Sequence, residues 1–243
     1  MTDQRPTRPT IRRLVAYLVD DAEPEPELAE LPDWLAASPR FRSFAETNRD
    51  KIRKKMRGAT SPEARLDVRA ELRVAAFVLA DRRFELAFEA YGAGRRGPDF
   101  TATFRAGRPF NIEVTRRRPP VGEAALEPAI LAKLRQLPPS ASNVLVVAVD
   151  GASSAPNPDP VLRELRTHAD RHDDAFFVAR GLLDAATYLA GLLRLAVVIA
   201  SAERAAPAAR TAAWTNAGAR IPLPEPTRRA LLAALDADPV ARS

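Results

Sequence analysis

The chain has no cysteine among its 243 residues. This excludes disulfides, thiolate metal sites and thiol nucleophiles. Lysine is scarce as well: of 37 basic residues only four are lysines, at positions 51, 54, 55 and 133, and the rest are arginine. There are two histidines. His168 and His172 have the i,i+4 spacing of a metal pair, beside Asp173 and Asp174, but no third ligand stands at a convincing spacing, so a solvated helix is expected. Long apolar runs are missing. The N-terminal stretch MTDQRPTRPTIRRLVAYLVDD holds only six consecutive apolar residues, too few for a signal peptide. The longest run, AATYLAGLLRLAVVIA at 185–200, is broken by Arg194 and falls short of the roughly 18 residues of a membrane span. A cytoplasmic protein without a membrane partner is the expectation. There is no GK[ST] phosphate loop near Gly94 or Gly97, no serine in a G-x-S-x-G elbow, and no repeat or heptad pattern.

What is present is an apolar share of 46%, ample for a core, and a net charge of +6 with a pI near 10.2. That balance suits an anionic partner, although an arginine-rich composition accounts for it equally well. The length fits one large domain, or one domain with an extension.

Residues 1–9 are polar and proline-bearing and are expected to lack fixed structure. A helix over 10–21 precedes an acidic connector, EPEPELAELP, at 23–32. Pro39 to about Gly58 reads as one helix, with Phe41, Phe44, Asn48, Ile52 and Met56 at helical spacing. It ends in the basic run KIRKKMR, read either as a solvated face near a helix C-terminus or as a phosphate grip. Ser61 and Pro62 open a further helix, 61–82, as N-cap and first helical residue. Strands follow at 84–92 and in the hairpin 97–118, then a helix at 123–137 and a buried strand at 143–150. Helices from PNPDPVLRELRTHADRH and LDAATYLAGLLRL, a strand at 196–201, a loop-rich segment AAPAARTAAWTNAGARIPLPEP and a last helix complete the chain. Trp214, Asn216 and the prolines 222, 224 and 226 read as a packed tail. The order implies a mixed α/β fold with one sheet covered on both sides and extra helices at both ends. Residues 1–60 are expected to form a helical extension and 61–243 the α/β domain.

The hairpin GPDFTATFRAGRPFNIEVTRRR contains two acids, Asp99 and Glu113. Strand side chains alternate, so Phe100, Ala102 and Phe104 share a face and must be joined there by Phe110, Ile112 and Val114. The connecting loop therefore has an odd length, with Gly107 suited to a left-handed turn position. One register pairs Asp99 with Glu113 and Phe100 with Ile112; another pairs Asp99 with Thr115. Either way Asp99, Thr101, Asn111, Glu113 and Thr115 line the opposite face. Opposed like charges are destabilising, so an arginine, a shared proton or a hard cation is expected between them, unless both acids are simply solvated. Glu71, in the middle of the preceding helix, is a third acid whose simplest role is a surface salt bridge.

The run of Glu71, Gly97-Pro98-Asp99-Phe100 and Ile112-Glu113-Val114-Thr115 resembles the PD-(D/E)xK nuclease superfamily, the restriction-endonuclease-like fold, whose core order αβββαβ matches the elements expected over 61–150. The resemblance implies Mg²⁺ or Mn²⁺ bound by Glu71, Asp99, Glu113 and the Val114 carbonyl, and cleavage of DNA phosphodiester bonds by metal-activated water. It leaves 1–60 and 151–243 uncovered. One departure stands out: Thr115 occupies the position of the motif lysine, which positions water and stabilises charge on the phosphate. Lys133, the only lysine outside 51–55, stands on the next helix, where it or Gln136 could reach the site. Lys51, Arg53, Lys54, Lys55, Arg95, Arg96, Arg116, Arg117 and Arg118 would hold the nucleic-acid backbone. Arg116 is expected on the face away from the acids. The alternative is a nuclease-like domain that binds nucleic acid or a protein partner without cleavage, favoured by Thr115. A homodimer is left open.

Overall fold

In a computed structural model of the protein, the residues described are 8–20, 25–89, 97–118, 122–202 and 209–240. Two compact units form: Met1–Arg82 with Ala237–Ser243, and Arg83–Asp236.

The first unit is helical, with α1 (Arg8–Val19), α2 (Leu31–Ala37), α3 (Pro39–Thr47), α4 (Arg49–Gly58) and α5 (Pro62–Ala80). The stretch 39–58, expected as one helix, is two. Asn48 ends α3 with φ −103° and ψ 14°, and its side-chain amide donates to the Phe44 carbonyl at 2.8 Å. An asparagine that hydrogen-bonds the backbone this way competes with helix continuation. The acidic connector also carries structure: Pro26–Leu28 form a 3-10 turn with Leu28 buried, and α2 begins within it at the buried Leu31. Ser61 caps α5 as expected, its hydroxyl accepting from the Ala64 amide. α5 packs with α2, α3 and α4, and the division between the two compact units falls after Arg82.

The second unit is α/β. Strands β1 (Phe84–Phe88), β2 (Phe100–Phe104), β3 (Phe110–Arg117), β4 (Ser142–Val149), β5 (Leu195–Ala202) and β6 (Thr211–Thr215) form one six-stranded mixed sheet in chain order, flanked by helices. The β1–β2 and β2–β3 pairs are antiparallel, β3–β4 and β4–β5 parallel, and β5–β6 antiparallel. Parallel neighbours need crossovers. The first passes through α6 (Leu126–Leu134), the second through α7 (Asp159–Asp170), α8 (Asp174–Val178) and α9 (Ala185–Leu192). Residues of α6, α7 and α9 share a core with Leu145, Val147, Val149, Val198 and Ala200 of the sheet. Every position of β4 and β5 is buried, as continuous apolar runs in a parallel sheet require. The chain approaches closely at Gly191 of α9, where a Cβ would stand 2.9 Å from the Leu134 Cβ of α6.

Two elements of the second unit lie outside the sequence expectations. TAAWT, read as part of a loop, is edge strand β6, and DAFFV forms the single-turn α8, capped by the Asp173 carboxylate accepting from the Phe176 amide. The last helix, α10 (Glu225–Asp236), packs beside β6. From α5 through β4 the element order is helix, three strands, helix, strand.

Candidate functional site

The hairpin register is Phe100↔Ile112, Thr101↔Asn111 and Ala102↔Phe110. Continued by one residue, it sets Asp99 against Glu113; the alternative register is not adopted. The left-handed turn position is taken by Arg105 (φ 55°), not Gly107. Gly107 instead permits close approach, since a Cβ there would meet the Phe104 carbonyl at 3.0 Å.

β3 runs on past its pairing with β2, and a side chain takes over that edge. Asp99 Oδ2 accepts a hydrogen bond from the Val114 amide at 2.8 Å. Amide and carbonyl of one strand residue project to the same side, so the Val114 carbonyl also lies on the Asp99 side. Glu113 is 7% exposed, on the same face as Leu145 and Val147 of β4. α6 packs over this face with Leu126, Ala129, Ile130, Leu131 and Leu134 buried. Lys133, three residues after Ile130 and four after Ala129, shares that stripe. It therefore points toward the sheet, and its Nζ donates to Glu113 Oε1 at 2.5 Å. Burial raises the Glu113 carboxyl above its ordinary pKa, the adjacent Asp99 charge adds to this, and the Lys133 ammonium opposes both. Asp99, Glu113 and Lys133 thus form one cluster at the sheet, supplied by the start of β2, by β3 and by α6.

The remaining candidates are placed as follows. Gln136 is exposed and donates to the Ala132 carbonyl at 3.3 Å, one turn back in the chain, and so does not join the cluster. Thr115 is half-buried two residues beyond Glu113 on the same face. Arg117 follows on that face, with its Nε buried and lacking a hydrogen-bond partner among the described residues. Arg116 projects to the other face, where its enclosed guanidinium donates to Asp150. Arg118 is exposed. Arg95 and Arg96 lie outside the described residues.

In the helical unit Glu71 is largely buried and accepts from Lys55. Arg57 and Arg53 together hold the Asp20 carboxyl down at about 2. Much of the basic run on α4 is thus engaged with acids of its own unit, while Lys51 and Lys54 are exposed. His168 and His172 do not form a pair on a helix: α7 ends at Asp170, His172 has φ 53°, and His168 Nδ1 meets Asp173 Oδ2 at 2.8 Å.

Asp99, Glu113 and the Val114 carbonyl are hard oxygen donors of the kind Mg²⁺ takes, so they fit such an ion in chemistry. Among the described residues no group of three or more His, Cys, Asp or Glu is arranged to hold a metal ion. Sequence reasoning missed the Lys55–Glu71 and Arg116–Asp150 pairs, because each joins residues far apart in the chain with no local pattern. No protein-family model, no curated protein and no solved structure matches the chain.

Proposed function

We propose that this protein is a metal-dependent nuclease that cleaves DNA phosphodiester bonds at the Asp99–Glu113–Lys133 cluster, on a sheet of the restriction-endonuclease-like kind. The observation that carries this reading is the Lys133 ammonium on Glu113, delivered from α6 to the place where Thr115 leaves the motif without a lysine. A divalent cation held by Asp99, Glu113 and the Val114 carbonyl would supply Lewis acidity and lower the pKa of a coordinated water. The chain's own groups do the rest. Asp99 is fixed by its hydrogen bond to the Val114 amide, so its carboxylate does not have to be ordered on binding. Glu113, buried beside Asp99, needs a cation, and Lys133 meets that need with an ammonium held next to the acids. With a metal held by Asp99 and Glu113, the Lys133 ammonium would be placed to stabilise charge developing on the phosphate.

Nicking of supercoiled plasmid with Mg²⁺ or Mn²⁺ tests the reading. Asp99→Ala is expected to abolish nicking, and Lys133→Ala to slow it by roughly 10²–10³-fold while leaving DNA binding nearly unchanged. Equal loss of cleavage and binding in Lys133→Ala would count against a catalytic lysine.

A second reading is a domain that binds DNA without cleaving it. Thr115 favours it, since an ammonium already paired with Glu113 is also what a structural ion pair looks like. Under this reading DNA binds, Mg²⁺ brings no nicking, and Asp99→Ala changes nothing.

A further inference from the structure

A second site lies at the other end of the parallel strands. A cavity of about 620 Å³ opens where the first residues of β3 and β4, the register partners Phe110 and Ser142, meet the segment leading into α10. Arg108 and Arg220 stand at its margin, both exposed, and Ile221 and Leu223 contribute apolar wall. From these observations we infer that the cavity binds a phosphate monoester carrying an apolar, nucleoside-like body. The inference does not rest on the nuclease reading.

Charge comes first. The lining contains two guanidiniums and no carboxylate, and among the described residues neither arginine side chain has an ion-pair partner. A net +2 lining calls for a dianion, and guanidinium suits the paired oxygens of phosphate. A monocarboxylate would leave one positive charge unmatched.

The walls are built before any ligand arrives. Asn216 ties the approach to the segment into the fold: its side-chain amide donates to the carbonyls of Leu192 at 2.8 Å and Leu195 at 2.9 Å, and its Oδ1 accepts from Gly218. The Arg220 amide donates to the Leu193 carbonyl at 2.8 Å. Pro222 and Pro224 then stiffen IPLPEP, which gives this proline-rich segment a role the carboxylate site does not. The volume falls within the roughly 300–1,000 Å³ of small-molecule sites, enough for a nucleotide. Preformed walls lower the ordering cost of binding.

Calorimetric titration of the full chain with adenosine 5′-monophosphate tests this. Saturable one-to-one binding is expected, with adenosine and ribose 5-phosphate each weaker by about tenfold or more. Arg108→Ala and Arg220→Ala should each weaken binding about tenfold, and the double variant about 100-fold. Both arginines are exposed, so these variants keep the fold, checked by circular dichroism. A 5′-phosphorylated oligodeoxynucleotide that competes when its 5′-hydroxyl form does not would place the phosphate on a strand end. Failure of both to compete would place it on a free nucleotide. Competition by the hydroxyl form, unchanged affinity in the double variant, ribose 5-phosphate binding as well as the nucleotide, or no binding up to about 1 mM would each overturn the assignment.

Discussion

Burial holds the Tyr188 phenol well above its ordinary pKa, and its hydroxyl has no hydrogen-bond partner among the described residues. The ring itself is well placed, stacked on Phe177 with centroids 4.9 Å apart. Removing an unsatisfied polar group from a core relieves a desolvation penalty. Tyr188→Phe is therefore expected to raise stability by up to about 1 kcal/mol in urea denaturation, and a loss of that size would mean that the hydroxyl has a partner. Asn143 is the opposite case. Its amide donates to the carbonyls of Pro138, Ala141 and Arg194, and its Oδ1 accepts from Asn111. Nothing in the alternating strand pattern marks Asn143 as a hub, because its partners come from three separate segments. Lys133 was legible for a different reason: a lone lysine in an arginine-rich chain draws notice by its rarity, and its place on the apolar stripe of α6 gives it a direction.

At the scale of elements, α6 positions the lysine and α9 positions α6. A methyl group at Gly191 would meet Leu134, the neighbour of Lys133, at 2.9 Å. Gly191→Ala is thus expected to cost about 1–3 kcal/mol by overpacking. Under the proposed nuclease reading it should also weaken nicking more than DNA binding, because the displaced helix carries Lys133; unchanged stability would show that α9 yields instead. Strands with strong apolar patterns were legible: β1 through β5 follow from alternation or from continuous β-branched runs such as NVLVVAV. Parity alone fixed which side Asp99 and Glu113 share. What the pattern could not show was β6, where TAAWT alternates too weakly to stand out from a loop and is held by pairing with β5. The break at Asn48 was hidden because Phe41, Phe44, Ile52 and Met56 keep helical spacing across it. The turn placed its left-handed residue at Arg105 because Gly107 was needed for contact with the Phe104 carbonyl.

For the molecule as a whole, the raised Glu113 carboxyl has a defined pH signature. The folded state holds its proton more tightly than the unfolded chain does. Between the ordinary glutamate pKa and the raised folded value the unfolded state binds fewer protons, so this group's contribution to stability falls as pH rises through that window. Glu113→Gln should remove this downward slope, measured as unfolding free energy against pH, and a slope left unchanged would assign it to other groups. The hairpin and the lysine also differ in when they become available. Lys133 follows Glu113 by 20 residues, beyond the turn that leads into α6. Synthesis delivers the two acids first, so the nascent hairpin brings like charges together with no lysine to offset them. We predict that this repulsion disfavours an early hairpin and that the folding nucleus includes the β3–α6–β4 crossover, where the Lys133 ammonium meets Glu113. Ile130→Val in α6 should then mainly slow refolding, and Phe104→Leu in β2 mainly hasten unfolding; a chevron analysis with the reverse partition would refute this order of assembly.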